Sequence, residues 1–160
     1  MKRFSLLVVL TATAAGALPN GLSGLTFGIG AGGLTDGFIQ GEYDFAMSKF
    51  VCLGPELGFC FGDGGGFFAG AAGRLYFIPD ENTLAQPHAV FGAGIGRRDD
   101  KDNTDRDEDE TGVYMRFGGG CDFDIPRSPV SPYAGLQGLF LISDDSDADF
   151  ELEIGIRVSL

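Results

Sequence analysis

The chain has 160 residues, with 23 Asp and Glu against 11 Lys and Arg, and 44% of its residues are hydrophobic. A formal net charge of -12 excludes nucleic acid as a partner, because the phosphate backbone would be repelled. The 27 glycines are interleaved with apolar residues, which is not the polar composition of a disordered chain.

Residues 1–17 predict a secretory signal peptide. Two basic residues open the chain, an apolar run follows from Phe4 to Leu10, and Ala15-Gly16-Ala17 is a small-residue cleavage site. The apolar run is shorter than the ~20 residues that a membrane-spanning helix needs. We therefore expect an exported protein with one domain over residues 18–160.

From Leu25 onward, apolar residues alternate with polar residues or glycines, and a period of two predicts β-strands. Turn and charge clusters divide this region into eight segments, each long enough to cross a membrane at a steep tilt. The predicted strands are 25–32, 38–47, 50–62, 67–78, 88–96, 112–125, 133–142 and 148–160. We predict an all-β fold, an eight-stranded antiparallel up-and-down transmembrane barrel, with a bulge at Pro55 because proline cannot donate a ladder hydrogen bond.

The polar face of the predicted strands would line the interior of the barrel. Eight strands leave room only for side chains, and glycines on this face relieve the crowding. Buried charges persist only when they are paired, so we predict a structural charge network that plugs the lumen. Its predicted members are Glu42, Glu56, Arg74, Arg116, Glu153 and Arg157, with Gln40 and Gln137 beside them. The alternative is a line of pore-lining charges.

Aromatic residues on the opposite, outward face fall in two tiers. One tier comprises Phe59, Phe61, Phe67, Phe140 and Phe150, and the other Tyr43, Phe45, Phe77, Phe91 and Phe123. Two tiers match the aromatic girdles of membrane barrels. A soluble ligand-carrying barrel, which is the alternative, would keep its apolar residues inside and its charges outside.

Three stretches resemble the small outer-membrane β-barrel proteins of the OmpA/OmpX type, and the resemblance covers residues 25–160. The stretches are Arg74-Leu75-Tyr76 followed by 87–96, the segment 131–138 (SPYAGLQG), and the closing strand. The resemblance implies a monomer in the outer membrane of a Gram-negative bacterium, in contact with outer-membrane lipid and lipopolysaccharide. It implies no activity.

The closing strand also resembles the signal read by the barrel-assembly machinery. Glu153 and Gly155 are its polar positions, and Val158 and Leu160 are its apolar ones. Aliphatic residues stand where this family carries aromatics, including the terminal position. The resemblance therefore implies a partner in the assembly machinery and weaker recognition than is typical.

Acidic residues concentrate in two predicted extracellular connections, 97–111 and 143–149, which hold twelve of the 23 acids. Carboxylates at this density could bind calcium weakly or bridge cations to lipopolysaccharide. The candidate ligands are Asp100, Asp102, Asp105, Asp107, Asp144 and Asp145. The other interpretation is a solvated acidic surface, and we predict no further cofactor.

The sequence carries no catalytic signature. His88 is the single histidine and is predicted at the periplasmic end, with Ser131 as a possible neighbour, whereas an outer-membrane hydrolase or acyltransferase would place its histidine near a serine at the outer rim. Cys52 and Cys60 are about 26 Å apart on one strand, too far to form a disulfide. We predict a non-enzymatic protein with a structural or surface-contact role and an unidentified surface ligand. An outer-membrane lipid-modifying enzyme is the alternative.

Overall fold

The computed structural model describes residues 23–32, 37–62, 65–77, 83–99, 109–142 and 147–160. Eight strands occupy these ranges: β1 Gly24–Gly32, β2 Gly37–Ala46, β3 Val51–Phe61, β4 Gly66–Tyr76, β5 Ala85–Asp99, β6 Asp109–Phe123, β7 Val130–Ile142 and β8 Asp147–Ser159. The predicted signal peptide lies outside the described residues. Within the described ranges, no helix is long and apolar enough to cross a bilayer.

Each strand pairs antiparallel with the next, and β8 returns to pair with β1, so the sheet closes into a barrel. The closing seam runs from Gly24 opposite Ser159 to Gly32 opposite Glu151. Closure gives every strand two neighbours and removes the free edges of an open sheet. The predicted eight-stranded up-and-down barrel is therefore confirmed.

The predicted bulge at Pro55 is wrong. Glu42 pairs with Glu56 and Phe45 with Leu53, so the β2–β3 register is the same on both sides of the proline. Pro55 itself keeps register with β4. A proline removes one donor without adding a residue, and here the strand accommodates that loss with no shift in pairing.

The two faces of the sheet have opposite polarity. Large apolar side chains from all eight strands point outward, among them Phe27, Ile39, Leu57, Phe67, Ile95, Phe117, Leu136 and Ile154, and each of these is at least 38% exposed. The inward positions hold buried charged and amide side chains. The described residues thus have the inverted arrangement that the sequence predicted.

Outward aromatic residues lie near both ends of the barrel. Phe59 and Phe61 end β3 and Phe67 begins β4, at the end that carries the β3–β4 hairpin. Phe77 follows β4 and Phe123 ends β6, at the end where β1 begins and β8 ends. The positions of these residues agree with the two predicted tiers.

Candidate functional site

The barrel interior is organised around inward side chains of β2. Because strand residues alternate in direction, Glu42 and Asp44 both face the lumen. Arg74 from β4 reaches both, with Nη2 2.8 Å from Glu42 Oε2 and Nη1 2.7 Å from Asp44 Oδ2. One guanidinium therefore bridges two buried carboxylates.

Arg116 from β6 also bridges two carboxylates, those of Glu42 on β2 and Glu56 on β3. Its Nη2 lies 3.2 Å from Glu42 Oε2 and 2.5 Å from Glu56 Oε2. Its Nη1 donates to the side-chain oxygens of Gln40 at 2.9 Å and Gln137 at 3.2 Å. The two amides accept from the part of the guanidinium that faces away from Glu56.

Arg157 from β8 extends the arrangement in the other direction. Its Nε lies 3.4 Å from Asp44 Oδ2, and its Nη1 lies 4.0 Å from Asp122 Oδ2. We call the connected groups the ion-pair network, which runs Asp122, Arg157, Asp44, Arg74, Glu42, Arg116, Glu56. Acid and base alternate along it, so each guanidinium lies between two carboxylates.

Neutral hydroxyl groups donate to the carboxylates of the lumen. Tyr76 donates to Asp122 Oδ2 at 2.7 Å, and Thr26 donates to Asp44 Oδ2 at 3.0 Å. The Tyr114 hydroxyl donates to Glu56. Such bonds matter because a buried charge is costly unless both pairing and hydrogen bonding compensate it.

Glu153 was predicted to join the charged network, and the structure gives it a different environment. Its Oε1 accepts from Gln40 Nε2 at 2.5 Å and from the Tyr133 hydroxyl. Both donors are neutral. Of the six predicted residues, the structure joins the other five by ion pairs, and it adds Asp44 and Asp122, which were not among the predicted members.

A glycine lies behind each of several large interior side chains. At these positions a Cβ atom would overlap the side chain that faces it: Gly30 faces Phe38, Gly58 faces Phe68, Gly92 faces Glu56, Gly94 faces Tyr114, and Gly155 faces Tyr133. The absence of a side chain on one strand makes room for a large one from another strand. The glycines therefore decide where the bulky groups fit.

An apolar cluster fills the lumen toward the end with the β3–β4 and β7–β8 connections. Phe68, Tyr114 and Leu139 pack together, with Cys60 and Leu141 beside them. The rings of Phe68 and Tyr114 are 5.1 Å apart between centroids. This cluster was not predicted, because alternation placed Phe67 outward but does not show which inward side chains pack together across the lumen.

No protein-family model matches the chain. No curated protein matches it. Solved structures do match, and the N-terminal β-barrel domain of Pseudomonas aeruginosa OprF aligns with a TM-score of 0.66 and 12% identity over 84% of this chain and 97% of that one. Neisserial surface protein A aligns with a TM-score of 0.57 and 14% identity over 86% and 94%.

This chain shares their barrel fold. The Yersinia pestis outer membrane protein Ail, determined in a phospholipid bilayer nanodisc, aligns with a TM-score of 0.43 and 14% identity over 84% and 99%, which is too low to support an argument. The resemblance to small outer-membrane barrels is thus confirmed as a likeness of fold.

The single histidine of this barrel is buried in the lumen. His88 Nδ1 lies 3.3 Å from the Gln86 carbonyl oxygen and 3.6 Å from Asp122 Oδ1. Ser131 Oγ donates to Asp124 Oδ1 at 2.7 Å, so its hydroxyl hydrogen bond goes to that carboxylate and not to His88. The arrangement of these groups is that of a structural hydrogen-bond network.

The cysteines of the barrel, Cys52, Cys60 and Cys121, are free thiols. Cys52 and Cys60 lie on β3 and Cys121 lies on β6, as the sequence predicted. Cys52 is fully buried against Ala46 and Tyr76. It acts as a small packing residue.

The candidate calcium ligands Asp100, Asp102, Asp105, Asp107, Asp144 and Asp145 lie outside the described residues. Among the residues that are described, no group of three or more His, Cys, Asp or Glu side chains could hold a metal ion. A calcium site in the acidic connections stays a prediction.

The predicted assembly signal lies on β8 at the closing seam of the barrel. Glu153 faces the lumen, Gly155 lies against Tyr133, and Val158 pairs with Leu25 of β1. The Leu160 backbone N–H donates to the Ser23 carbonyl at 2.9 Å, while its side chain remains 63% exposed. The terminal side chain is therefore accessible to another molecule.

Proposed function

We propose that this protein is a non-enzymatic outer-membrane β-barrel of a Gram-negative bacterium. It crosses the bilayer with its eight strands and has a structural or surface-contact role. The observation that carries the proposal is the inverted polarity of the barrel: large apolar side chains cover the outside, and the charged residues of the ion-pair network fill the inside.

A bilayer suits this surface better than water does. Contiguous apolar patches of this extent on a soluble protein lead to association. A closed barrel satisfies all backbone hydrogen bonds between strands, which is the condition for crossing hydrocarbon as a sheet. We therefore infer contact with outer-membrane lipid and lipopolysaccharide, insertion by the barrel-assembly machinery, and a monomeric state.

A filled lumen supports a structural role over transport. The charged side chains of the ion-pair network are at least 95% buried, and the apolar cluster packs above them. The extracellular connections are then the part of the protein that is free to contact a surface ligand. Nucleic acid is not proposed as that ligand, since the chain carries a net charge of -12.

Fractionation tests the location. We expect the protein in outer membranes, with migration on gels that changes on heating because the folded barrel resists detergent. Recovery as a soluble periplasmic protein would contradict the proposal and favour a ligand-carrying barrel. A lipid A structure altered by expression of the protein would favour the lipid-modifying enzyme.

We further propose weak calcium binding at the acidic connections 97–111 and 143–149. With eight acids in one and four in the other, mutual repulsion at neutral pH is strong and a divalent cation would relieve it. We expect calorimetry on the detergent-folded protein to give a dissociation constant of about 10⁻⁴–10⁻³ M, the range of extracellular calcium modules. A heat reproduced by monovalent salt alone would reduce the effect to charge screening.

A further inference from the structure

We propose that the apolar cluster of Phe68, Tyr114, Leu139, Cys60 and Leu141 is a second, independent seal of the lumen. It prevents ions from passing even when the ion-pair network is broken. This inference rests on the proposed membrane span, because a seal has a function only in a barrel that crosses a bilayer.

The cluster closes the lumen with side chains from four strands. Cys60, Phe68 and Tyr114 come from β3, β4 and β6, and Leu139 and Leu141 come from β7. Phe68 is 5%, Tyr114 2% and Leu139 9% exposed, so the centre of the cluster is dry. A hydrophobic constriction stops ions because water, and with it the ion's hydration shell, is excluded.

The two rings of the cluster are held in place by the glycines behind them. A Cβ at Gly58 would overlap the Phe68 ring, and one at Gly70 or Gly94 would overlap Tyr114. The rings therefore pack directly onto the backbone of the barrel wall. Groups packed this closely have few alternative rotamers, so the constriction is a fixed part of the fold.

The cluster and the ion-pair network are stacked along the barrel. The cluster lies toward the end with the β3–β4 and β7–β8 connections, and Asp44 and Arg157 lie toward the end where β1 begins and β8 ends. The Tyr114 hydroxyl joins the two layers by its bond to Glu56. Loss of ion pairs below Tyr114 leaves the apolar contacts above it in place.

A charge-balanced pair of substitutions separates the two layers. Arg116→Met with Glu56→Gln removes one base and one acid, and leaves Glu42 paired with Arg74 at 2.8 Å. Adding Phe68→Ala and Leu139→Ala to this pair then opens the cluster as well. The first variant tests the cluster after the Arg116–Glu56 pair beside it has been removed, and the second tests the same lumen with the cluster opened.

Potassium efflux from preloaded proteoliposomes is the measurement. We expect the wild type and the Arg116→Met/Glu56→Gln variant to match empty vesicles, and the four-substitution variant to lose its potassium. Efflux from the two-substitution variant would overturn the proposal, because the network would then be the seal. A four-substitution variant that retains its potassium would also overturn it, because the cluster would then not matter.

Controls keep folding and insertion separate from sealing. Each variant is first checked for heat-modifiable migration and for flotation with vesicles, so failure of the proposed membrane span shows in the wild type before efflux is measured. Phe68→Leu, added to the two-substitution variant, keeps an apolar group at this position and should remain sealed. If the four-substitution variant does not fold, Leu139→Ala alone is added to the pair and read in the same way.

A native thiol gives a second readout. Cys52 is fully buried on β3, eight residues from Cys60 toward the opposite end of the barrel. A small cationic thiol reagent is added outside intact cells, and peptide mapping distinguishes the two cysteines. We expect Cys52 to be labelled in the four-substitution variant, which lacks the cluster and the Arg116–Glu56 pair, and to stay unlabelled in Arg116→Met/Glu56→Gln. Labelling in the latter, or its absence in the former, would contradict the second seal.

Discussion

At the scale of single residues, the arrangement of the lumen depends on ion pairs between charged side chains and on glycines opposite large ones. Arg74 holds two carboxylates at 2.7 and 2.8 Å, and a glycine stands behind each of several large groups. Charge pairing fixes which polar groups meet, and the glycines fix where the rings fit. Substitutions in the lumen should therefore cost far more than substitutions on the turns.

Arg74→Ala should lower the free energy of unfolding by about 3–5 kcal/mol, because it leaves Glu42 and Asp44 buried without their shared partner. Urea unfolding of the detergent-folded protein would measure this. Lys49→Ala is the control, since Lys49 is exposed over the Phe50 ring at 4.8 Å and should contribute about 0.5–1 kcal/mol. An Arg74 variant as stable as the Lys49 variant would indicate a hydrated lumen.

Gly58→Ala should destabilise the barrel by about 1–3 kcal/mol, because its methyl group would overlap the Phe68 ring. Gly41→Ala on the neighbouring strand is the matched control, since its methyl group would meet ordinary contacts at 3.9 Å or more. Phe68→Leu should recover part of the loss in the Gly58 variant. Equal stability of the two glycine variants would show that the ring moves freely.

At the scale of strands, the period of two in the sequence was sufficient to predict all eight elements and the inward face. It did not show that Phe68 packs against Tyr114, because that contact joins β4 and β6, which are not adjacent in the sheet. Pro55 was misread because the missing N–H costs one bond and does not shift the register. Ion-pair partners could not be predicted, since the sequence does not show which strands face each other across the lumen.

Leu160, which follows β8, allows assembly of the barrel to be tested separately from its stability. If the proposed insertion by the barrel-assembly machinery is right, Leu160→Phe should raise the fraction of protein assembled in the membrane, because the resemblance implies an aromatic residue at this position. The stability of the folded barrel should not change, since the Leu160 side chain is 63% exposed and its anchor is the backbone bond to Ser23. Quantitative blotting of membrane fractions measures assembly, and urea unfolding measures stability. No gain in assembled protein would argue that the aliphatic ending is fully recognised.

At the scale of the whole molecule, the barrel has the reverse polarity of a soluble protein, with apolar side chains outside and charged side chains inside. Ile154 illustrates this, because it lies midway along β8, points outward and is 52% exposed, while Glu153 beside it is 5% exposed and bound in the lumen. If the barrel crosses a bilayer as proposed, the loss of folding free energy caused by a charge on the outer surface should depend on the depth of that charge in the bilayer. A barrel in water would show no such dependence.

Ile154→Lys should destabilise the vesicle-inserted barrel by about 2–4 kcal/mol, the cost of a cation near the bilayer midplane. Ile125→Lys is the matched change beyond the end of β6 and should cost about 0–1 kcal/mol, the value near an interface. Unfolding from vesicles would measure both. Equal costs at the two positions would place the barrel outside a bilayer.

The pairing of glycines with large side chains restricts which substitutions the interior of this barrel can accept during evolution. Outward positions require only that a residue be apolar, so they can drift singly, whereas Gly58 and Phe68 restrict each other. A side chain is acceptable at position 58 only after the ring at 68 has shrunk. Among descendants of the same ancestor, such positions should covary across neighbouring strands, while residues on the outward face change independently of one another.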